Sequence, residues 1–90
     1  MPAPPSPSVE PGAVRERLLA FVNENIMAPG HPIEPGDRLE SHGVDSMALL
    51  KILLFIEDAF GFWIPDEDLV ADNVASLDVL ARYVSRKIAA

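Results

Sequence analysis

Asp45-Ser-Met-Ala-Leu-Leu-Lys-Ile-Leu-Leu-Phe-Ile-Glu-Asp-Ala-Phe-Gly61 is the stretch on which the fold turns. It reads as a helix from Ser46 to about Phe60. Asp45 suits the N-cap, because its carboxylate accepts from free first-turn amides and complements the helix dipole. Gly61 breaks the helix at the other end. Between them only Lys51, Glu57 and Asp58 are charged. A helix this apolar cannot hide every face in a chain of 90 residues. Much of it serves as the central core helix. Some of Leu49, Leu50, Leu53, Leu54 and Phe55 are expected at the surface, where they suggest a partner-binding face.

Both flanks carry helical signals. Upstream, Val14, Leu18, Phe21, Val22 and Ile26 recur at spacings of three and four, which predicts a first helix from residue 13. Pro29-Gly30 is expected to end it. The connection 28–44 holds three prolines and three glycines. It is long for so small a domain, so it is either disordered or functional. Ile33 and Leu39 argue against disorder, since each can pin the loop to a core. Downstream, Phe62-Trp63-Ile64-Pro65 is a short apolar segment, with Trp63 expected to pack beneath the short third helix. Asp66-Glu67-Asp68-Leu69 reads as that short acidic helical turn. Leu77, Leu80, Ala81, Val84 and Ile88 then form one face of a last helix, with Ser76 as its cap and Arg86 and Lys87 near its end. The sum is an all-α fold, a small four-helix bundle with a long loop between the first two helices. Residues 1–12, with prolines at 2, 4, 5, 7 and 11, are expected to be a disordered tail, and 13–90 the folded domain.

Composition excludes several functions. Acids outnumber bases 14 to 7, for a formal charge of -7, which repels phosphate backbones and argues against nucleic acid. There are no cysteines, so a disulfide scaffold, a cysteine zinc site and a thiol nucleophile are excluded. The longest apolar run, Ile52 to Ile56, is far short of the roughly 20 residues of a membrane helix. The N-terminus lacks the pattern of a signal peptide, so the expected compartment is the cytoplasm. His31 and His42 do not have the spacing of two ligands on one helix turn, and no metal is expected. A Ser46–His42 hydrolase pair lacks the surrounding glycines of a nucleophile turn. The acids from Glu57 to Asp72 form either a solvated surface or a docking face for basic partners. Ser46, taken alone, reads as an ordinary helix-start serine.

A larger pattern surrounds that serine. Asp37-Arg-Leu-Glu-Ser-His-Gly43-Val-Asp45-Ser46-Met47 resembles the phosphopantetheine attachment motif of acyl carrier proteins, whose core is Gly-x-Asp-Ser-Leu/Met after an Asp-x-Leu. The resemblance continues through Glu57 and Phe60, Ile64-Pro65-Asp66-Glu67 and Tyr83-Val84, and covers about residues 13–88. It implies that Ser46 receives 4′-phosphopantetheine from coenzyme A, with Gly43, Asp45 and Met47 completing the motif. It implies that a separate phosphopantetheinyl transferase makes the transfer, with Asp45 helping it to recognise the site and to bind metal. The arm's thiol then carries an acyl or aminoacyl group as a thioester, so the protein is a carrier and not an enzyme. The implied partner face is Met47, Leu50, Leu54, Glu57 and Asp58, with Asp66 and Glu67. The implied partners are the transferase, a loading ligase or transferase and a downstream acceptor enzyme, met by a monomer.

Three departures shape the expectation further. Lys51 stands where many fatty-acid carriers have an acid. Leu53-Leu54-Phe55-Ile56 is more apolar than their second helix, and Phe62-Trp63 replaces a polar pair. They point to a specialised carrier of a polyketide, natural-product or aminoacyl route rather than a housekeeping fatty-acid carrier, and Met47 leans to the aminoacyl group. Met1 and the end soon after the last helix suggest a free-standing carrier. The rival class is an unmodified helical interaction domain.

Overall fold

The computed structural model describes residues 10–89. The expected proline tail falls, for residues 1–9, outside these. Four helices follow in order: α1 (Pro11–Asn25), α2 (Ser46–Phe60), α3 (Ala71–Val74) and α4 (Leu77–Ala89). Among the described residues there is no strand, and the all-α expectation holds.

Helix α1 starts at Pro11, two residues before the expected boundary, so Pro11 and Gly12 belong to the helix. Proline at the first helical positions loses nothing, since its missing N–H would have no intrahelical partner there. Val14, Leu18 and Val22 are its buried stripe. The helix ends at Asn25, before Pro29-Gly30. Asparagine side chains redirect the chain here. Asn25 Nδ2 donates to the Phe21 carbonyl at 2.9 Å. Asn23 forms a two-way pair with Ile33: Ile33 N–H donates to Oδ1 at 2.8 Å, and Nδ2 donates to the Ile33 carbonyl at 3.3 Å.

That pair starts a series of pins along the long connection. Ile33 and Leu39 are both buried, as expected. Leu39 N–H donates to the Ala75 carbonyl and Asp78 N–H to that of Pro35, each at 2.9 Å. A 3₁₀ turn at Glu40–His42 closes on Gly43, whose φ of 78° is left-handed and favours glycine. The loop is therefore laced to the region around α3 and the start of α4.

Helix α2 has the expected bounds. Ile52, Leu53 and Ile56 are buried, while Met47, Leu50 and Leu54 are exposed at 66%, 41% and 49%. Gly61 ends it at φ 68°, its N–H bonded to the Glu57 carbonyl at 2.9 Å. The next segment corrects one expectation. Trp63 is exposed, not packed under a helix, while Ile64 is buried and Phe62 packs 6.1 Å from the Tyr83 ring. Extended chain sends alternate side chains to opposite sides, so Phe62 and Ile64 face in and Trp63 faces out.

The expected short helix at 66–69 is a 3₁₀ turn at Asp66–Asp68, and the α-helical turn α3 follows it. Ser76 caps α4 as expected, accepting from Val79 N–H at 3.2 Å. Leu77, Leu80, Ala81, Tyr83 and Val84 carry α4 into one core with the buried faces of α1 and α2.

Candidate functional site

Ser46 is the first residue of α2 and is exposed. Its place follows from Asp45, whose side chain accepts from Ala48 N–H at 2.9 Å while its carbonyl accepts from Leu49 N–H at 2.8 Å. Asp45 thus spends its carboxylate on the cap and leaves the serine hydroxyl outside it. Ser46 Oγ makes no hydrogen bond to a described residue. His42, the one conceivable base for it, instead places Nε2 3.3 Å from Asp37 Oδ2, and Asp37 also accepts from Glu34 N–H at 2.9 Å. Removing the cap is a measurable loss: Asp45→Ala is expected to lower stability by about 1 kcal/mol, read as a thermal-melting shift of several degrees.

The surface along α2 divides in two. From Ser46 to Leu54 it is apolar with one cation, exposed Lys51, which makes no ion pair with a described residue. Glu57 and Asp58 are exposed beyond it, on the order of 16 Å along the axis from Ser46 at 1.5 Å per residue. Asp66 and Glu67 are also exposed, in the 3₁₀ turn past the C-terminal end of α2. The site residues are thus not one cluster. The apolar residues lie beside Ser46, and the acids lie at the far end of the helix and past it.

At the head of α2, reached by Val44 and Leu49 on either side of Ser46 in the chain, is a feature that the sequence does not announce. A cavity of about 190 Å³ is lined by Leu39, Val44, Leu49, Ala71, Val74 and Ala75, with Arg38 and Glu40 at its edge. Arg38 and Glu40 are paired at 2.7 Å. Its walls come from three separate segments, so only Leu39, read as a loop anchor, carries any signal. Among the described residues, no group of three His, Cys, Asp or Glu side chains is placed to hold a metal ion. None of the described helices is long and apolar enough to cross a membrane.

The family model described as phosphopantetheine attachment site matches residues 16–84, a span that holds Gly43, Asp45, Ser46 and all of α2. The chain belongs to this family of carrier proteins. Its cofactor is covalent 4′-phosphopantetheine. The carrier is 27% identical over 79 residues to the mitochondrial acyl carrier protein of Dictyostelium discoideum, covering 88% of this chain and 64% of that protein. It is 28% identical over 79 residues to aminoacyl carrier protein 1 of Bradyrhizobium diazoefficiens, covering 83% of this chain and 86% of that protein. The carrier's fold also matches a chain in the crystal structure of the Bradyrhizobium japonicum glycine:carrier-protein ligase complexed with glycylated carrier protein. The TM-score there is 0.62 at 24% identity, over 80% of this chain and 95% of that one.

Proposed function

We propose that Ser46 is the attachment point for 4′-phosphopantetheine and that the chain presents an acyl or aminoacyl cargo to partner enzymes, with no turnover of its own. The observation that carries this is the exposed Ser46 hydroxyl, free of bonds to described residues, at the first position of α2 within the family's motif. The residues fit the group. A hydroxyl that must enter another enzyme's active site has to be accessible. The unpaired amides and dipole at a helix start favour the phosphodiester that forms there, while Asp45 opposes it. When bound, the group supplies a terminal thiol that this cysteine-free chain lacks, and holds the cargo on it as a thioester.

The aminoacyl reading is supported by the Bradyrhizobium relative's name, by Met47 and by the cation on α2. The proposed partners are a phosphopantetheinyl transferase, an aminoacyl- or acyl-loading ligase and a downstream acceptor. Met47, Leu50 and Leu54 supply the apolar part of their docking face. Glu57, Asp58, Asp66 and Glu67 supply an acidic part farther along. The proposed place of work is the cytoplasm, and the proposed working form is a monomer.

The test is intact-protein mass after incubation with coenzyme A and a broad-specificity phosphopantetheinyl transferase. One phosphopantetheine added per chain supports the reading. No addition to folded protein moves the chain to an unmodified interaction domain. Lys51→Glu is expected to change partner affinity several-fold while moving stability by no more than about 0.5 kcal/mol, since it alters an exposed charge. Binding titrations beside thermal melts check this, and equal loss of both contradicts it.

A further inference from the structure

Beyond the buried Ile64, the stretch 66–75 that leads into α4 is held to the bundle by little apolar burial. Neither the 3₁₀ turn at Asp66–Asp68 nor α3 contains a fully buried residue. Leu69 and Val74 are only half-buried against the core. Segments with few buried apolar contacts open more readily than the core. What remains is largely polar: the Leu39–Ala75 backbone bond at one end, and at the other a group of bonds on Asp68 that fold the segment on itself and tie it to α4. Tyr83 Oη donates to Asp68 Oδ2 at 2.5 Å. Lys87 Nζ lies 3.9 Å from the same oxygen. Asn73 Nδ2 donates to the Asp68 carbonyl at 2.9 Å, and Asp68 N–H donates to that of Pro65.

The anchor is firm on one side only. Tyr83 stands on α4 with its ring buried, beside Phe62, and with Arg86 and Lys87 about 6 Å from the ring. The other side is the weakly packed segment itself. That segment contributes Ala71, Val74 and Ala75 to the cavity, opposite Leu49 of α2, which is three residues from Ser46. One side-chain hydrogen bond, with the longer Lys87–Asp68 ion pair beside it, therefore joins a fixed helix to the near end of this cavity wall, while the Leu39–Ala75 backbone bond holds its far end.

We propose that Tyr83 and Asp68 form a latch that positions segment 66–75 as a movable wall of the cavity beside Ser46. With the bond made, the wall is closed against α2 and the Leu39 loop. With it broken, the wall opens as a unit while α1, α2 and α4 stay packed. Tyr83 is thus a positioning residue. A phenol suits this role. Burial first, then the hydrogen bond and charge of Asp68, push its pKa up from 10.0 to about 12. It keeps its proton, and so stays a donor to the ionised carboxylate, from mildly acidic pH to well above neutrality. The bearing of the latch on cargo rests on the Ser46 reading. The latch itself is tested on unmodified protein, so the two stand or fall separately.

The experiment uses the full chain and three readouts. Tyr83 is the one tyrosine, so the phenol signal belongs to a single residue. First, ultraviolet titration of the wild-type phenol is expected to give a midpoint near 12, lower in Asp68→Ala but still raised because the ring stays buried, and an unchanged midpoint in that variant overturns the latch. A wild-type midpoint near 10 overturns the latch. Second, hydrogen exchange in Tyr83→Phe is expected to speed at least tenfold at the amides of Leu69 and Asn73, with those of Leu18, Ile56 and Val84 unchanged. A uniform rise along the chain, or no rise in the segment, overturns the proposal. Third, helical circular dichroism is expected to be kept in the same variant, which separates local opening from unfolding. If Tyr83→Phe does not fold, Asp68→Ala carries the exchange measurement, because it breaks the same bond from the half-buried segment side, together with the Lys87 pair.

Discussion

Ser46→Ala is expected to abolish phosphopantetheine addition and to leave the fold intact. The chemistry requires an oxygen at this position to form the phosphodiester bond, and alanine has none. The fold does not require it. Ser46 is exposed, bonds to no described residue, and stands at a helix start whose cap belongs to Asp45. Surface changes away from such features move stability by no more than about 0.5 kcal/mol. Intact mass and a thermal melt, run on the same preparation, read both halves. Addition that persists in the variant would move the attachment to another residue. A variant that unfolds would contradict the surface placement on which the proposed function rests.

The largest stability loss is expected at Ile56. Its side chain is fully buried on the inner face of α2. Ile56→Ala removes buried methyl and methylene groups and leaves a cavity that neighbours fill only in part, at a cost of about 2–5 kcal/mol. A small domain has about 5–15 kcal/mol in total, and each kcal/mol is worth about 4–8 °C in one of this size. A drop in melting temperature of more than about 10 °C follows. Leu54 is the control. It lies on the same helix two residues away, but it is exposed at 49%, so Leu54→Ala is expected to cost under about 1 kcal/mol. Its effect should fall on partner binding instead. Equal melting losses for the two variants would show that the outer face of α2 contributes to the core, and would count against a docking role for it.

Much of the fold is legible because its signals are local. Asp45 and Ser76 are readable as caps, since a cap acts within three residues of itself, and both bonds are present. The bounds of α2 follow from Asp45 and Gly61 alone. The start of α1 is less legible because a proline run reads as a tail, whereas proline at the first helical position is favourable. The end of α1 is obscured because Asn23 and Asn25 act through their side chains, one of them across ten residues. The general burial of aromatics places Trp63 inside, but alternation in a short extended segment puts Phe62 there instead. The site is legible in the same uneven way. The serine and its motif lie within a few residues of one another. The cavity wall and the Tyr83–Asp68 bond join positions far apart in the chain, and no pattern of spacing reports them.

By itself, the sequence determined the helical class, the caps of α2 and α4, the exposed serine at the head of α2 and the absence of any thiol on the chain. These depend on side-chain chemistry and on periods of three to four residues. Only the tertiary structure decided which of the leucines on α2 face water, how the long loop is laced to Ala75 and Pro35, and that a weakly buried segment walls a cavity next to Ser46. Those outcomes depend on which surfaces meet when the helices pack. Packing is decided by the volume and hydrogen bonding of residues far apart in sequence, which no local window contains.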